Sequence, residues 1–512
     1  MIRKIVRRLL PYGSRRNHNA KVALASLRVI EHPNYDANYN RWMVLVEPEG
    51  WRAVVPHTDA EPLISVVVPC FNTPARYLDP LIESLHNQSF AGWEAILVDA
   101  SDEAASADRI RDAATTDSRF RYLRAEDNAG ISANTNAGIA AARGAYVAFV
   151  DHDDTLSVHA LNEVAGRLAD DPGLDILYSD EDKLSEDGRW RHTPLFKPGW
   201  SPHTFMQVNY TNHLSVIRRD LVESVGRLRP EFDGAQDYDL LLRIHATTPD
   251  VQVGHINRVL YHWREASGST AHRVDAKTYA FDAGVKAHQE VLDASPFEGT
   301  VERMWMRPGF YRHIITPTQL RRAEVYVAPT ERLADNTRLA ERLRSMTSAP
   351  ALAVSFRPCL PEELEAAPPA DGADTAVVKI RMPVLPDQAT WLQELVGILQ
   401  LPDVNEIAPL IVSADAGLIV DSGLVEREGE LVGLFADRPA DEQSPVGPPE
   451  WVRDVDALSG AVVASAPDPT DDGYRVVWSH VRMRRIPAFD SASPLLSRNL
   501  TLDDVGGLIP DG

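Results

Sequence analysis

Short apolar runs alternate along the first half of the chain with stretches whose apolar residues recur at helical spacing. Leu63-Ile-Ser-Val-Val-Val68 reads as a buried strand, closed by Pro69-Cys70-Phe71-Asn72. Leu78, Leu81, Ile82 and Leu85 then mark one face of a helix. Trp93–Val98 predicts a second strand ending in Asp99-Ala-Ser101-Asp102, followed by a helix near 103–116 and a short strand around Phe120–Leu123. Asn128-Ala-Gly130 opens the next helix, which runs to Arg143-Gly144. The run Ala145–Val150 ends abruptly in Asp151-His152-Asp153-Asp154, and a helix is expected near 158–169. Strict alternation of strand and helix predicts a parallel sheet with helices on both faces and ligand-binding residues at the strands' C-terminal ends.

Asn72, Asp99 and the 151–154 cluster would converge on that edge. Three crowded carboxylates repel one another unless a cation sits between them, and hard oxygen ligands suit a divalent ion. The plainer alternative makes Asp154 the N-cap of the following helix. Asp175–Tyr178 predicts another strand, with Asp180-Glu181-Asp182 as either a functional acid cluster or a solvated turn. Phe196-Lys197-Pro198-Gly199-Trp200-Ser201 reads as a broken loop, and Gln236-Asp237-Tyr238-Asp239 opens a helix through Ile244. Neither Gly-x-Gly-x-x-Gly nor a P-loop follows the first strand, so phosphate is not gripped by a glycine loop.

Composition narrows the class. A net charge of −22 argues against a nucleic-acid binder. Two cysteines, Cys70 and Cys359, make neither a disulfide framework nor a zinc spacing. The expected setting is therefore cytoplasmic. No apolar run reaches the roughly 18–20 residues of a membrane span, and no signal-peptide core is present. Residues 1–30 reverse the charge balance, with Arg3, Lys4, Arg7, Arg8, Arg15, Arg16, Lys21 and Arg28 and no acid. They read as a basic amphipathic segment able to rest on an anionic membrane face, or as a basic tail.

Six stretches occur in order: Val67-Val68-Pro69-Cys70-Phe71-Asn72, Asp99-Ala-Ser101, Asn128-Ala-Gly130, Asp151-His-Asp153-Asp154, Gln236-Asp237-Tyr238-Asp239 and Tyr261-His262-Trp263-Arg264. Together they resemble the inverting glycosyltransferases of family 2, and the wording of 178–183, 196–201 and 261–264 is most similar to rhamnosyltransferase-like enzymes of O-antigen and cell-wall polysaccharide synthesis. The resemblance implies an α/β GT-A fold, a Rossmann-like, mostly parallel sheet that binds nucleotide-diphospho-sugars. It implies that Pro69, Phe71, Asn72, Asp99, Asn128, Gly130 and Asp151 hold the nucleotide-sugar donor. It further implies that Asp151, Asp153 and His262 bind Mn²⁺ or Mg²⁺, and that Asp237 is the general base. The acceptor would be a glycan or lipid-linked glycan at the inner face of the plasma membrane. Gln236 stands where the family often has Glu.

The expected organisation is a basic N-terminal segment and lead-in over 1–60, of which residues 31–60, without clear periodicity, pack on the first domain; a catalytic domain over 61–315; and a second α/β domain over 316–512. Residues 361–375 and 438–450 read as linkers. Strands are expected at Thr375–Ile380, Ile407–Val412, Leu458–Val463 and Tyr474–Trp478, with a helix carrying Trp391, Leu392, Leu395, Val396 and Leu399. Thr375–Leu399 can be laid over Ala145–Leu168, with Arg381-Met-Pro383-Val384 in place of the acids, and Tyr474–Trp478 with His480 resembles the strand that carries the late His of the first half. The second domain is thus either a degenerate GT-A-like repeat or an unrelated α/β domain. Two other classes stand beside the enzyme reading: an inactive transferase-like scaffold of a polysaccharide assembly complex, and a nucleotidyltransferase. Retention of Asp151, Asp153, Asp237 and His262 speaks against the first. The absence of a Gly- and basic-rich loop after the first strand speaks against the second.

Overall fold

The computed structural model describes residues 37–266, 278–304, 309–365, 372–413, 418–427, 430–438, 444, 447, 451–467 and 473–485. The basic segment 1–30 lies outside the described residues. The chain divides into two units: 37–200 with 211–283, and 201–210 with 284–485, counting described stretches. Residues 37–60 belong to the first unit, the boundary falls at 283/284, and 201–210 goes with the second.

The first unit opens with helix α1 (Ala37–Leu45) and then alternates β1 (Ile64–Cys70), α2 (Ala75–His86), β2 (Trp93–Asp99), α3 (Ala104–Thr116), β3 (Phe120–Arg124), α4 (Ile131–Ala141) and β4 (Tyr146–Phe149). These strands pair in parallel in the order β3-β2-β1-β4. β1 and β2 are apolar and buried on both faces, as a sheet sandwiched between helices requires. Leu78, Leu81 and Leu85 of α2 face this sheet, as their spacing predicts.

Beyond β4 the sheet is not parallel throughout. β5 (Thr155–Leu156), helix α5 (Ala160–Asp170), β6 (Ile176–Leu184), β7 (Arg191–Leu195), β8 (Ser215–Arg218), helix α6 (Gln236–Thr247) and β9 (Val253–Arg264) complete the unit. β8 lies antiparallel between β4 and β6, β9 runs parallel to β6, and β5 is antiparallel to β9. Strict strand–helix alternation fails because no helix of the first unit connects β7 to β8. Two local readings are also corrected. Asp154 caps no helix, since β5 follows it and α5 begins only at Ala160. Asp180-Glu181-Asp182 is not a solvated turn but the buried middle of β6.

The second unit contains a hairpin of β10 (Gly299–Arg303) and β11 (Tyr311–Ile315), then β12 (Arg322–Val327), β13 (Ala353–Pro358), β14 (Thr375–Ile380), β15 (Val384–Pro386), helix α7 (Trp391–Leu399), β16 (Val404–Ser413) and β17 (Ile419–Asp421). A hairpin of β18 (Leu424–Arg427) and β19 (Glu430–Gly433) precedes β20 (Arg453–Val455), β21 (Val462–Ser465) and β22 (Tyr474–Arg485). The strands expected at Thr375–Ile380, Ile407–Val412 and Tyr474–Trp478 and the Trp391 helix are present; the strand expected over Leu458–Val463 begins only at Val462, and Pro361–Glu365 is a short helix rather than linker.

The two large sheets share one succession. β2-β1-β4-β8-β6-β9-β5 matches β13-β12-β14-β21-β16-β22-β15. In both, the pairings run parallel, parallel, antiparallel, antiparallel, parallel, antiparallel. An added antiparallel strand sits on β6 and on β16 alike. The strands also follow one another along the chain in the same order. The acids that follow β4 have no counterpart after β14, where Arg381-Met382-Pro383 stands. Only residues 466–473 separate β21 from β22, too short a stretch for a helix like α6.

Candidate active site

β4 delivers its chain directly into the 151–154 turn, and β9 straps that turn from the other side. The Asp151 N–H donates to the Tyr261 hydroxyl oxygen at 3.2 Å, and that hydroxyl donates to Asp154 Oδ2 at 2.5 Å. The Arg264 N–H donates to Asp154 Oδ1 at 2.6 Å, and Arg264 Nε to the Asp153 carbonyl at 2.7 Å. Asp154 is wholly buried and spent on this strap. Burial, with the Asp151 and Asp153 charges added, holds its carboxyl well above the usual carboxylate range. The third acid is thus structural, while Asp151 and Asp153 remain partly exposed.

A cleft opens beside the turn, with Pro69, Asp151, Asn212, His213, Gln236 and Asp237 in its lining. Asp237 sits in the first turn of α6, where an acid also suits the helix dipole. Asn212 donates its Nδ2 to Asp237 Oδ2. His213 is fixed by Nδ1 against Glu181 Oε2 at 3.2 Å and lies stacked on Tyr261, ring centroids 4.7 Å apart. Burial raises the Asp151 carboxyl, the Asp153 and Asp237 carboxylates add to the shift, and His213 opposes it. The Asp151 and Asp153 carboxylates are hard oxygen donors of the kind a divalent cation takes.

His262 lies opposite Thr155 on the β5–β9 ladder. Its Nδ1 bonds Asp182 Oδ1 at 2.7 Å, and Asp182 Oδ2 takes Tyr39 OH and Arg191 Nε, each at 2.5 Å. Among the described residues no three His, Cys, Asp or Glu side chains are gathered into a group that could hold a metal ion. Asp151, Asp153 and His262 are therefore not a closed ligand set, and any ion would take further ligands from elsewhere.

The remaining expected donor residues are not among those lining the cleft. Phe71 stands exposed after β1. Asn72, at φ 47°, accepts the N–H groups of Asp102 and Glu103 on its side-chain oxygen, at 2.9 and 3.1 Å, and so holds the loop that leads into α3. Asp99 is buried. It accepts from the Ser101 N–H at 3.0 Å, Tyr122 OH at 3.0 Å and Arg124 at 2.9 Å, and these bonds outweigh burial to hold its carboxyl below the usual range. Asn128 Oδ1 accepts from the Gly130 N–H and Asn134 Nδ2. Gly130 precedes α4 at φ 95°, where a Cβ would stand 2.6 Å from Asp233 Oδ2, so no other residue fits unstrained.

The residues missed by sequence reasoning are Asn212 and His213, which fall in no motif, and Glu181 and Lys197, whose motifs were noticed but whose burial was not. The glycosyl transferase family 2 profile matches residues 65–226, which carry β1 through the 151–154 turn and β8. Succinoglycan biosynthesis protein ExoO of Rhizobium meliloti is 30% identical over 49% of this chain and 74% of its own length. The chain belongs to glycosyl transferase family 2. Its first unit has the GT-A fold that the six stretches implied. The O-antigen biosynthesis protein RfbC of Myxococcus xanthus is 33% identical over 88% of this chain, and the chain spans 38% of RfbC's length. The crystal structure of S. aureus TarS 1–349 aligns over 45% of this chain and 65% of its own, at 18% identity and a TM-score of 0.36.

Proposed function

We propose that this family 2 chain is a metal-dependent inverting glycosyltransferase. It moves a sugar from a nucleotide-sugar to a glycan or lipid-linked glycan in cell-surface polysaccharide synthesis. The observation that carries the reading is that Asp151 and Asp237, from β4 and α6, line one cleft. Two carboxylates on one cavity allow a division of labour between a cation-binding acid and a base. The names of RfbC and ExoO support the polysaccharide class.

In this reading Pro69 and the loops after β1 and β2 flank the donor. Asp151 and Asp153 would hold Mn²⁺ or Mg²⁺, with the remaining ring nitrogen of His262 as a further candidate ligand. Held there, such an ion would supply positive charge against the negative charge that builds on the leaving nucleoside diphosphate. Asp237 takes the proton from the acceptor hydroxyl as that oxygen attacks the anomeric carbon opposite the leaving group. One displacement inverts the centre and needs no enzyme nucleophile. Nucleoside diphosphate release tests this: Asp237→Asn lowers turnover by about 10²-fold or more while donor binding persists. Turnover unchanged by Asp237→Asn overturns the assignment.

The protein acts in the cytoplasm, with residues 1–30 resting on the inner face of the plasma membrane; no described helix is long and apolar enough to cross it. Deleting residues 1–30 should release the protein from anionic vesicles, and unchanged partitioning argues against that contact. The second unit is a degenerate copy of the first. The shared succession of strands supports this, as does the loss of both the acid turn and the base helix. It contributes no catalysis, so metal-dependent transfer surviving in the full chain with Asp151→Ala and Asp237→Asn together would contradict it.

A further inference from the structure

Two conspicuous stretches take no part in that chemistry, Tyr178–Lys183 and Phe196–Ser201. They meet at Lys197. Its side chain is wholly buried, and its ammonium pairs with Glu181 Oε2 at 3.0 Å. The same ammonium donates to the carbonyl of His213 at 2.8 Å and to the carbonyl of Asn212. Three donors thus meet three acceptors. The Lys197 N–H donates to Asp180 Oδ1 at 2.8 Å, so the loop is pinned to β6 at both ends of the residue.

A buried lysine is an expensive way to fill space. Taking an ammonium and a carboxylate out of water costs several kcal/mol each, and apolar side chains of similar volume often serve stability as well. What the charge secures is backbone position: two consecutive carbonyls are held on one point. Those two residues are the ones that enter the cleft. Asn212 reaches Asp237, and His213, braced by the same Glu181, lines the cavity beside Asp151.

We propose that Lys197 is a positioning residue for the transfer: by fastening the Asn212 and His213 carbonyls to Glu181, it holds the Asn212 amide against Asp237. The proposal rests on the reading of Asp237 as the base. Misplacing a reacting group by about 1 Å can cost about 10²-fold in rate, so a clamp remote from the substrate can govern turnover.

The test uses the full chain with Lys197→Met, Asn212→Ala, the two combined, and Lys197→Met with Glu181→Gln. Each single variant is expected to lower kcat by about 10–100-fold, with the donor KM changed by less than about twofold. The Lys197→Met/Asn212→Ala pair should be no slower than the slower single, because both break one link. Removing the stranded carboxylate in Lys197→Met/Glu181→Gln should recover the melting temperature lost by Lys197→Met without recovering kcat. Turnover that returns with stability, or losses that multiply in the Lys197→Met/Asn212→Ala pair, overturns the proposal. Should Asp237→Asn prove fully active, the base assignment fails, and the clamp is then judged by crystal structures. The Asn212–Asp237 hydrogen bond present in the wild type and absent in Lys197→Met supports it. The same bond in both contradicts it.

Discussion

Asp151, Asp153 and Asp154 are near neighbours in sequence and differ in what they do. Asp154 accepts from Tyr261 OH and the Arg264 N–H inside the protein, whereas Asp151 borders the cleft. Asp154→Ala strands two buried donors and should cost about 2–4 kcal/mol, read as a lower melting temperature. Asp153→Ala should leave the melting temperature near the wild type's and abolish metal-dependent donor binding. Equal destabilisation by both would show that the three acids are one structural unit. The acid turn was legible because an apolar run stopping at three carboxylates is conspicuous. The split of roles was not, since Tyr261 and Arg264 lie more than a hundred positions away. Asp99 is a similar case. A strand-end acid was evident, but its bonds to Tyr122 and Arg124 depend on β3 pairing beside β2.

Among elements, β6 departs furthest from its sequence reading. Three consecutive acids look solvated, yet each meets a base inside the fold. Asp180 meets His255 at 2.8 Å, Glu181 meets Lys197 at 3.0 Å, and Asp182 meets His262 at 2.7 Å and Arg191. The Lys197 ammonium leads the favourable contacts that outweigh burial and hold Glu181 down at about 2. Helix α1 belongs to this wiring, because Tyr39 bonds Asp182 and Glu47, just after the helix, pairs with Arg191 at 2.6 Å. Residues 31–60 carry no clear periodicity, which is why a boundary near 60 looked natural. Removing residues 1–60 should lower the melting temperature by about 5 °C or more, beyond the effect of removing 1–36 alone. Equal melting temperatures for the two truncations would show that α1 is dispensable to the first unit.

At the scale of the whole molecule, the two sheets repeat one succession of strands. Only two segments of that succession, Thr375–Leu399 and Tyr474–Trp478, are legible in the sequence, because the acids that mark the first unit are missing from the second. The second unit has its own signature in pH. His313 Nε2 lies 3.0 Å from His288 Nδ1, and burial pushes His313 down to about 4 and His288 and His480 well below the usual imidazole range. Stability from keeping His313 neutral is complete above about pH 6.5 and is lost as pH falls through about 4, roughly 3 kcal/mol in all. The raised carboxyls of Asp151 and Asp154 act in the opposite direction, so the readout is a difference. Between pH 6.5 and 4.5, His313→Gln should lose less stability in chemical denaturation than the wild type does, and equal losses would contradict this. The proposed transfer turns on the cleft that Asp151 and Asp237 line. Its most direct test is nucleoside diphosphate release from UDP-, dTDP- and GDP-sugars by the full chain with Mn²⁺ or Mg²⁺. Chelator, Asp153→Ala and Asp237→Asn serve as controls. Release is expected from one donor, abolished by chelator and by Asp153→Ala and reduced about 10²-fold by Asp237→Asn. Release indifferent to all three would contradict it, and no release together with no metal-dependent donor binding would make the chain an inactive scaffold.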